Sequence, residues 1–217
     1  MTYTGQVTPG GPPDVRELDA LTITKVSVGP MDNNAYLLGC RASGELLLVD
    51  AANDAQTLLG LIGDRELERV VTTHQHKDHW VALEAVVDAT GARTAAGVDD
   101  APGIPVPTRE PLKDGDRVYV GEVGLSVIHL VGHTPGSVAL LYEDPTGHPH
   151  LFTGDSLFPG GVGKTSGPET FGSLIDDVEH KLFARLPDET WFYPGHGNDS
   201  SLGAERPALP EWRARGW

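Results

Sequence analysis

Thr73-His74-Gln75-His76-Lys77-Asp78-His79 packs three imidazoles and a carboxylate into six consecutive positions. It directly follows Arg69–Thr73, whose β-branched residues predict a strand. Residues two apart in extended chain point to the same side, so His74 and His76 can grip one metal ion. Asp78 and His79 come where the chain turns into a predicted helix and can face a second ion. One short loop can thus supply ligands to two ions.

Working outward, two more histidines of the nine lie in similar settings. His133 lies in Gly132-His133-Thr134-Pro135-Gly136-Ser137 and His196 in Pro194-Gly195-His196-Gly197, both glycine-flanked turns after predicted strands. Asp155, in Phe152-Thr153-Gly154-Asp155, has the same placement. Four strand ends therefore deliver His or Asp, and in open α/β sheets ligands gather outside the carboxyl ends of strands. Glycine allows the close backbone approach that converging side chains need. His129, His148, His150 and His180 lack this context and are read as structural or surface residues. Asp50, ending Leu47-Leu48-Val49-Asp50, is read as a turn carboxylate near the site and not a ligand.

The rest of the chain predicts a scaffold that changes character along its length. Strands are expected at Leu21–Val28, Asn34–Cys40 and Glu45–Asp50, a meander separated by Gly, Pro or Asn. A helix at Asp54–Ile62, the strand at Arg69–Thr73 and a helix at Trp80–Thr90 then alternate, which implies a mixed sheet with helices outside. Further strands are expected at Arg117–Val120, Leu125–Val131, Val138–Glu143 and His150–Thr153, then a helix at Glu169–Leu186 and a strand at Trp191–Tyr193. Residues 1–14, with Pro9-Gly10-Gly11-Pro12-Pro13, read as a mobile tail before one domain spanning 15–217.

Composition narrows the function classes. The chain carries 31 acidic against 16 basic residues, a net charge of −15, which repels phosphate backbones and argues against a nucleic-acid partner. Cys40 is the only cysteine, which excludes an internal disulfide and a thiolate-rich metal site. No run approaches the roughly 18 apolar residues of a membrane span, and no basic-then-apolar leader opens the chain. A cytoplasmic enzyme acting on a small molecule, as a monomer or small homo-oligomer, is the expectation.

The His-x-His-x-Asp-His loop with His133, Asp155 and His196 resembles the metallo-β-lactamase superfamily, and within it the glyoxalase II-like hydrolases. The resemblance covers nearly all of the chain from Leu21. It implies an αββα sandwich, in which two mixed sheets face each other with helices on the outer faces. It also implies two divalent metal ions, zinc first, with iron or manganese also suited to imidazole and carboxylate ligands. His74, His76 and His133 would bind one ion and Asp78, His79 and His196 the other, with Asp155 bridging. Asp78 and Asp155 would be the catalytic carboxylates, and a metal-bridging hydroxide would attack a small acyl thioester or related ester. Lys164, in Gly160-Gly161-Val162-Gly163-Lys164-Thr165, falls where glyoxalase II proteins carry a basic residue that contacts the glutathione portion, so it is the candidate substrate-binding residue. Ser166 replaces the neighbouring aromatic of that family. The sequence ends soon after His196, where glyoxalase II proteins continue into a helical domain, so the ending resembles short, single-domain members. A persulfide dioxygenase, which binds one iron through the equivalents of His74, His133 and Asp155, is the alternative the same motifs allow.

Overall fold

The structure, a computed structural model, describes residues 2–216. Among them the strands assort into two mixed sheets and one short ribbon. The first sheet follows chain order through β1 (Asp14–Glu17), β2 (Leu21–Val28), β3 (Asn33–Cys40), β4 (Leu46–Val49), β5 (Leu67–Thr72), β6 (Arg93–Gly97) and β7 (Glu110–Leu112). It is antiparallel as far as β4, and β4 to β7 run parallel. The switch falls where helix α1 (Ala55–Ile62) is inserted between β4 and β5, and α2 (Leu83–Thr90) follows between β5 and β6. Parallel neighbours need such crossovers. The second sheet holds β8 (Arg117–Val120), β9 (Val123–His129), β10 (Val138–Tyr142) and β11 (His150–Gly154). After the ribbon β12 (Leu157–Phe158) and β13 (Gly161–Val162) comes α3 (Pro168–Asp177), and β14 (Trp191–Pro194) returns parallel to β11. β15 (Ser200–Ser201), α4 (Leu202–Glu205) and α5 (Leu209–Arg215) complete the order.

The period-two alternation of each strand sorts its side chains into separate cores. Tyr36, Leu38, Leu47, Val49 and Val71 meet Leu125, Leu140, Phe152 and Tyr193 between the sheets. Their neighbours Leu37, Leu46, Leu48 and Val70 face outward onto Leu58 and Ile62 of α1 and Leu83 and Val86 of α2. On the far side Ala139, Leu141, Leu151 and Phe192 pack against Leu174 and Ile175 of α3 and Trp212 of α5. Strands covered on both faces read as continuous apolar runs, as Leu46–Val49 does. The result is the αββα sandwich that the family resemblance implied. No helix among the described residues is long and apolar enough to cross a membrane.

Several local expectations shift. Asp54 is the cap of α1, its carboxylate accepting from Thr57 N at 3.2 Å, and the helix stops at Gly63 with φ 60°. The helix expected from Trp80 starts at Leu83, because Lys77–His79 form a separate tight turn. The helix expected over Glu169–Leu186 is α-helical only to Asp177, after which the coil widens and Ala184 N bonds Glu179 O at 2.8 Å. β1, β6, β7, β12, β13 and β15, with helices α4 and α5, escaped the sequence reading. β6, Arg-Thr-Ala-Ala-Gly, has little intrinsic strand preference, and its small residues answer to packing instead: a Cβ on Gly97 would lie 1.9 Å from Gly136 O.

The segment 1–14, expected as a mobile tail, carries specific contacts over its described part. Tyr3 packs edge-on against Trp191 and Tyr193, Thr4 N and Gly5 N donate to the Asp14 carboxylate, and Asp14 itself opens β1. Met1, and Trp217 at the end of the expected domain, lie outside the described residues.

Candidate metal centre

Four strand ends from the two sheets meet at one rim of the sandwich. β5 of the first sheet leads into His74, His76, Asp78 and His79, and the second sheet delivers His133 after β9, Asp155 after β11 and His196 after β14. His74, His76 and His133 bring ligand atoms together, as do Asp78, His79 and His196. His74 Nε2 lies 3.1 Å from His76 Nδ1 and 3.3 Å from His133 Nε2. In the second group His196 Nε2 lies 3.3 Å from His79 Nε2 and 3.2 Å from Asp78 Oδ2. Asp155 stands between them, with Oδ2 at 3.7 Å from His133 Nε2 and 3.5 Å from His196 Nε2, and Oδ1 at 3.4 Å from His79 Nε2. All seven residues singled out as ligands therefore come together.

The second nitrogen of four histidines explains why the first points inward. His133 Nδ1 donates to Lys164 O at 2.6 Å, His196 Nδ1 to Met31 O at 2.9 Å and His79 Nδ1 to Asp50 Oδ2 at 2.8 Å. Thr73 Oγ1 gives its proton to Asp50 and so accepts from His74 Nδ1 at 3.0 Å. In the neutral imidazoles the proton then sits on Nδ1, and four Nε2 lone pairs converge on two carboxylates. Lone pairs 3.3 Å apart repel one another unless a cation lies between them. Ligands about 2.0–2.1 Å from a tetrahedral ion are about 3.3–3.4 Å apart, which matches the separations here. Asp155 Oδ1 is buried and accepts no hydrogen bond, a cost that an ion at this point would remove. The residues therefore fit two metal ions.

Ionisation follows the same geometry. Burial, with the charges of neighbouring imidazoles, holds the His74 pKa well below its ordinary value despite Asp155, and burial likewise lowers His133. Both present neutral nitrogens. Burial opposes charge on His79, but Asp50 and Asp155 outweigh it and push its pKa up to about 10. A cation at Nε2 would take that proton's place before the same carboxylates. For Asp155, burial would raise the pKa, yet the imidazoles of His196, His79 and His74 gathered around it hold it well below the carboxylate range.

Supporting residues surround the ligands. Asp50, expected near the site as a turn carboxylate, accepts from Thr73 N at 2.7 Å as well as from Thr73 Oγ1 and His79. Asn33 Nδ2 holds Asp78 Oδ2 at 2.9 Å. Asp100, fully buried, accepts from Gln75 N, Thr134 Oγ1 and Gly136 N at 2.5–2.9 Å. Asn33 and Asp100 were not read from the sequence, where each looks like an ordinary turn residue. Lys164 contributes its carbonyl to His133, while its side chain is exposed beside a cleft of about 340 Å³ also lined by Phe171, Trp212 and Arg215. His129, His148, His150 and His180 lie outside the ligand groups.

Comparison with known proteins agrees with this geometry. A hydroxyacylglutathione hydrolase of Fuscovulum blasticum is 37% identical over 169 residues, 76% of this chain and 62% of that protein. The chain thus matches less than two thirds of that relative's length. Among solved structures, TTHA1623 in a di-iron-bound form superposes with a TM-score of 0.70 at 32% identity, covering 84% of this chain and 96% of the other. ETHE1 from Myxococcus xanthus superposes with a TM-score of 0.78 at 28% identity, covering 88% and 84% respectively. The metallo-beta-lactamase superfamily profile matches residues 28–196, a span that holds all seven converging side chains, and the chain belongs to that superfamily.

Proposed function

We propose that this protein is a two-metal hydrolase that cleaves a small acyl thioester or related ester. The observation that carries the reading is the pair of ligand triads with Asp155 between them, four of the five imidazoles held by a fixed partner on the other nitrogen. His74, His76 and His133 would hold one ion and Asp78, His79 and His196 the other, with Asp155 placed between the two groups. Two divalent ions bound there would activate water near neutral pH and polarise a carbonyl. Asp78 and Asp155 offset part of the ions' charge, and Asn33 fixes the Asp78 carboxylate against the second triad. Zinc suits the donors, as do iron and manganese. The likeness to a hydroxyacylglutathione hydrolase supports a thioester, and the di-iron form of TTHA1623 supports two ions.

The likeness to ETHE1 favours one further reading, an iron-dependent persulfide dioxygenase using His74, His133 and Asp155. One experiment separates the two. Zinc-loaded and iron-loaded preparations are offered acyl thioesters, lactones and glutathione persulfide while acid release and dissolved oxygen are recorded. Acid release without oxygen uptake is expected. Oxygen consumption with persulfide on iron alone, and no hydrolysis by either preparation, would overturn the hydrolase reading. Asp155→Ala removes a shared ligand and its charge together, so bound metal should fall below two ions and the rate should collapse. Two retained ions and full activity in that variant would end the bridging role.

A further inference from the structure

The second triad can form only when the two sheets are registered at this rim, because His196 follows β14 whereas Asp78 and His79 follow β5. A buried polar network around Lys25 of β2 makes that registration. Lys25 is fully buried, and its Nζ donates to Gly5 O and Gly197 O at 2.7 Å and to Asp199 Oδ1 at 2.6 Å. Those three bonds use every ammonium proton. Asp199 Oδ2 accepts from Tyr3 Oη at 2.6 Å and Trp191 Nε1 at 3.2 Å. Gly5 is fitted to this contact: its φ is +73°, and a Cβ there would lie 2.4 Å from Asp199 Oδ2. From β3, Asn34 Nδ2 donates to Pro194 O and Gly197 O, and Tyr36 Oη to Pro194 O. Two carbonyls flanking His196 are thus gripped from the opposite sheet.

The first triad has a different lock. Asp100 ties the Gln75 amide, between His74 and His76, to Thr134 and Gly136 of the loop that carries His133. A Cβ on Gly136 would lie 2.3 Å from Asp100 N, so the fit is backbone to backbone. Among the described residues, no hydrogen bond runs from the Lys25–Asp199 network to His74, His76 or His133, or from Asp100 to Asp78, His79 or His196.

Building on the ligand assignment above, we propose that Lys25, Asp199 and the N-terminal arm position His196, while Asp100 positions the His76 and His133 loops, so the affinities of the two metal sites are set independently. Burying one member of an ion pair alone is costly, so the test removes both charges with Lys25→Met/Asp199→Asn. Zinc is titrated into each full-length variant against a chromophoric chelator, with His196→Ala marking the step that belongs to the second site. The double variant should weaken that step about 10- to 100-fold and leave the other unchanged, the size typical of lost outer-shell support. Asp100→Asn should do the reverse. In the His196→Ala background the double variant should add no further loss, whereas Asp100→Asn should keep its full effect. Thr134→Val probes the second lock should Asp100→Asn fail to fold. Equal weakening of both steps, or a double-variant effect that persists without His196, would overturn the proposal. A wild-type chain that binds no zinc would overturn the ligand assignment with it.

Discussion

Asp50 holds a position that three donors define, Thr73 N, Thr73 Oγ1 and His79 Nδ1, and its own backbone sits at φ 59° to reach them. It orients His79 directly and His74 through the threonine hydroxyl. An amide has one acceptor oxygen and cannot serve all three, so Asp50→Asn should weaken metal binding about 10- to 100-fold with every ligand still present. Metal analysis after dialysis against a mild chelator checks this, and wild-type retention would reduce Asp50 to a turn residue. His150 makes a different point. It is buried, with Nδ1 2.9 Å from Tyr193 Oη and its ring beside Tyr142 and His148. Burial first, then the nearby charges of His148 and Arg16, outweigh Asp144 and hold its pKa down to about 3 against an ordinary 6.5. Between those values the unfolded chain binds the proton that the folded chain refuses. The stability contribution is therefore full above about pH 6.5 and falls as pH drops towards 3, by at most about 1.4 kcal/mol per unit. His150→Phe keeps a ring in place and should flatten this part of the profile. Urea unfolding of both proteins from pH 7.5 to 4.5, with chelator present, measures it; identical slopes would sink the idea.

At the scale of elements, the loop from Asp155 to α3 joins the site to the exposed cleft. Gly163 lies where a Cβ would be 1.7 Å from Asp155 O and 3.2 Å from His133 Nδ1, so the loop is moulded onto two ligands at once. Gly163→Ala must push this backbone outward, and bound metal and rate should both fall. Gly167→Ala, at an extended φ with open space around it, should leave both intact. Equal activity of the two variants would show that the loop yields freely. One residue on, Lys164 separates into a carbonyl that fixes His133 and a side chain on the rim of the cleft beside Arg215. Lys164→Ala keeps the carbonyl, so it should raise KM for an anionic thioester several-fold and change kcat little, the mark of uniform binding lost. A fall in kcat at constant KM would place the lysine's role elsewhere. The α3 region also shows where local reading ends. Its apolar spacing predicts one continuous helix, yet beyond Asp177 the coil widens where Val178, Leu182 and Phe183 pack onto the second sheet.

The molecule as a whole is two sheets whose shared rim carries both triads, so bound ions should tie the sheets together. Ligands that bind only the folded state stabilise it by about 2.7 kcal/mol at a free concentration 100 times Kd. Stripping the metal with chelator should therefore lower Tm, and zinc should restore it in proportion to the sites filled. An unchanged Tm would mean that the rim is rigid without ions. The sequence by itself determined the candidate ligands, because His-x-His-x-Asp-His after a β-branched run and the Gly-His and Gly-Asp turns are local patterns tied to strand ends, and it implied the fold through the family resemblance those motifs carry. It also located the main helices and most strands, whose apolar periodicity is written residue by residue. The pairing of Asn33 with Asp78, the grip of Asp100 on two loops and the anchoring of the N-terminal arm through Lys25 and Asp199 were decided only by the tertiary structure. Each joins residues that are far apart in the chain, 174 positions in the case of Lys25 and Asp199. A lone asparagine, aspartate or lysine carries no periodic signal, and its role exists only once sheet packing has removed the water that would otherwise satisfy it.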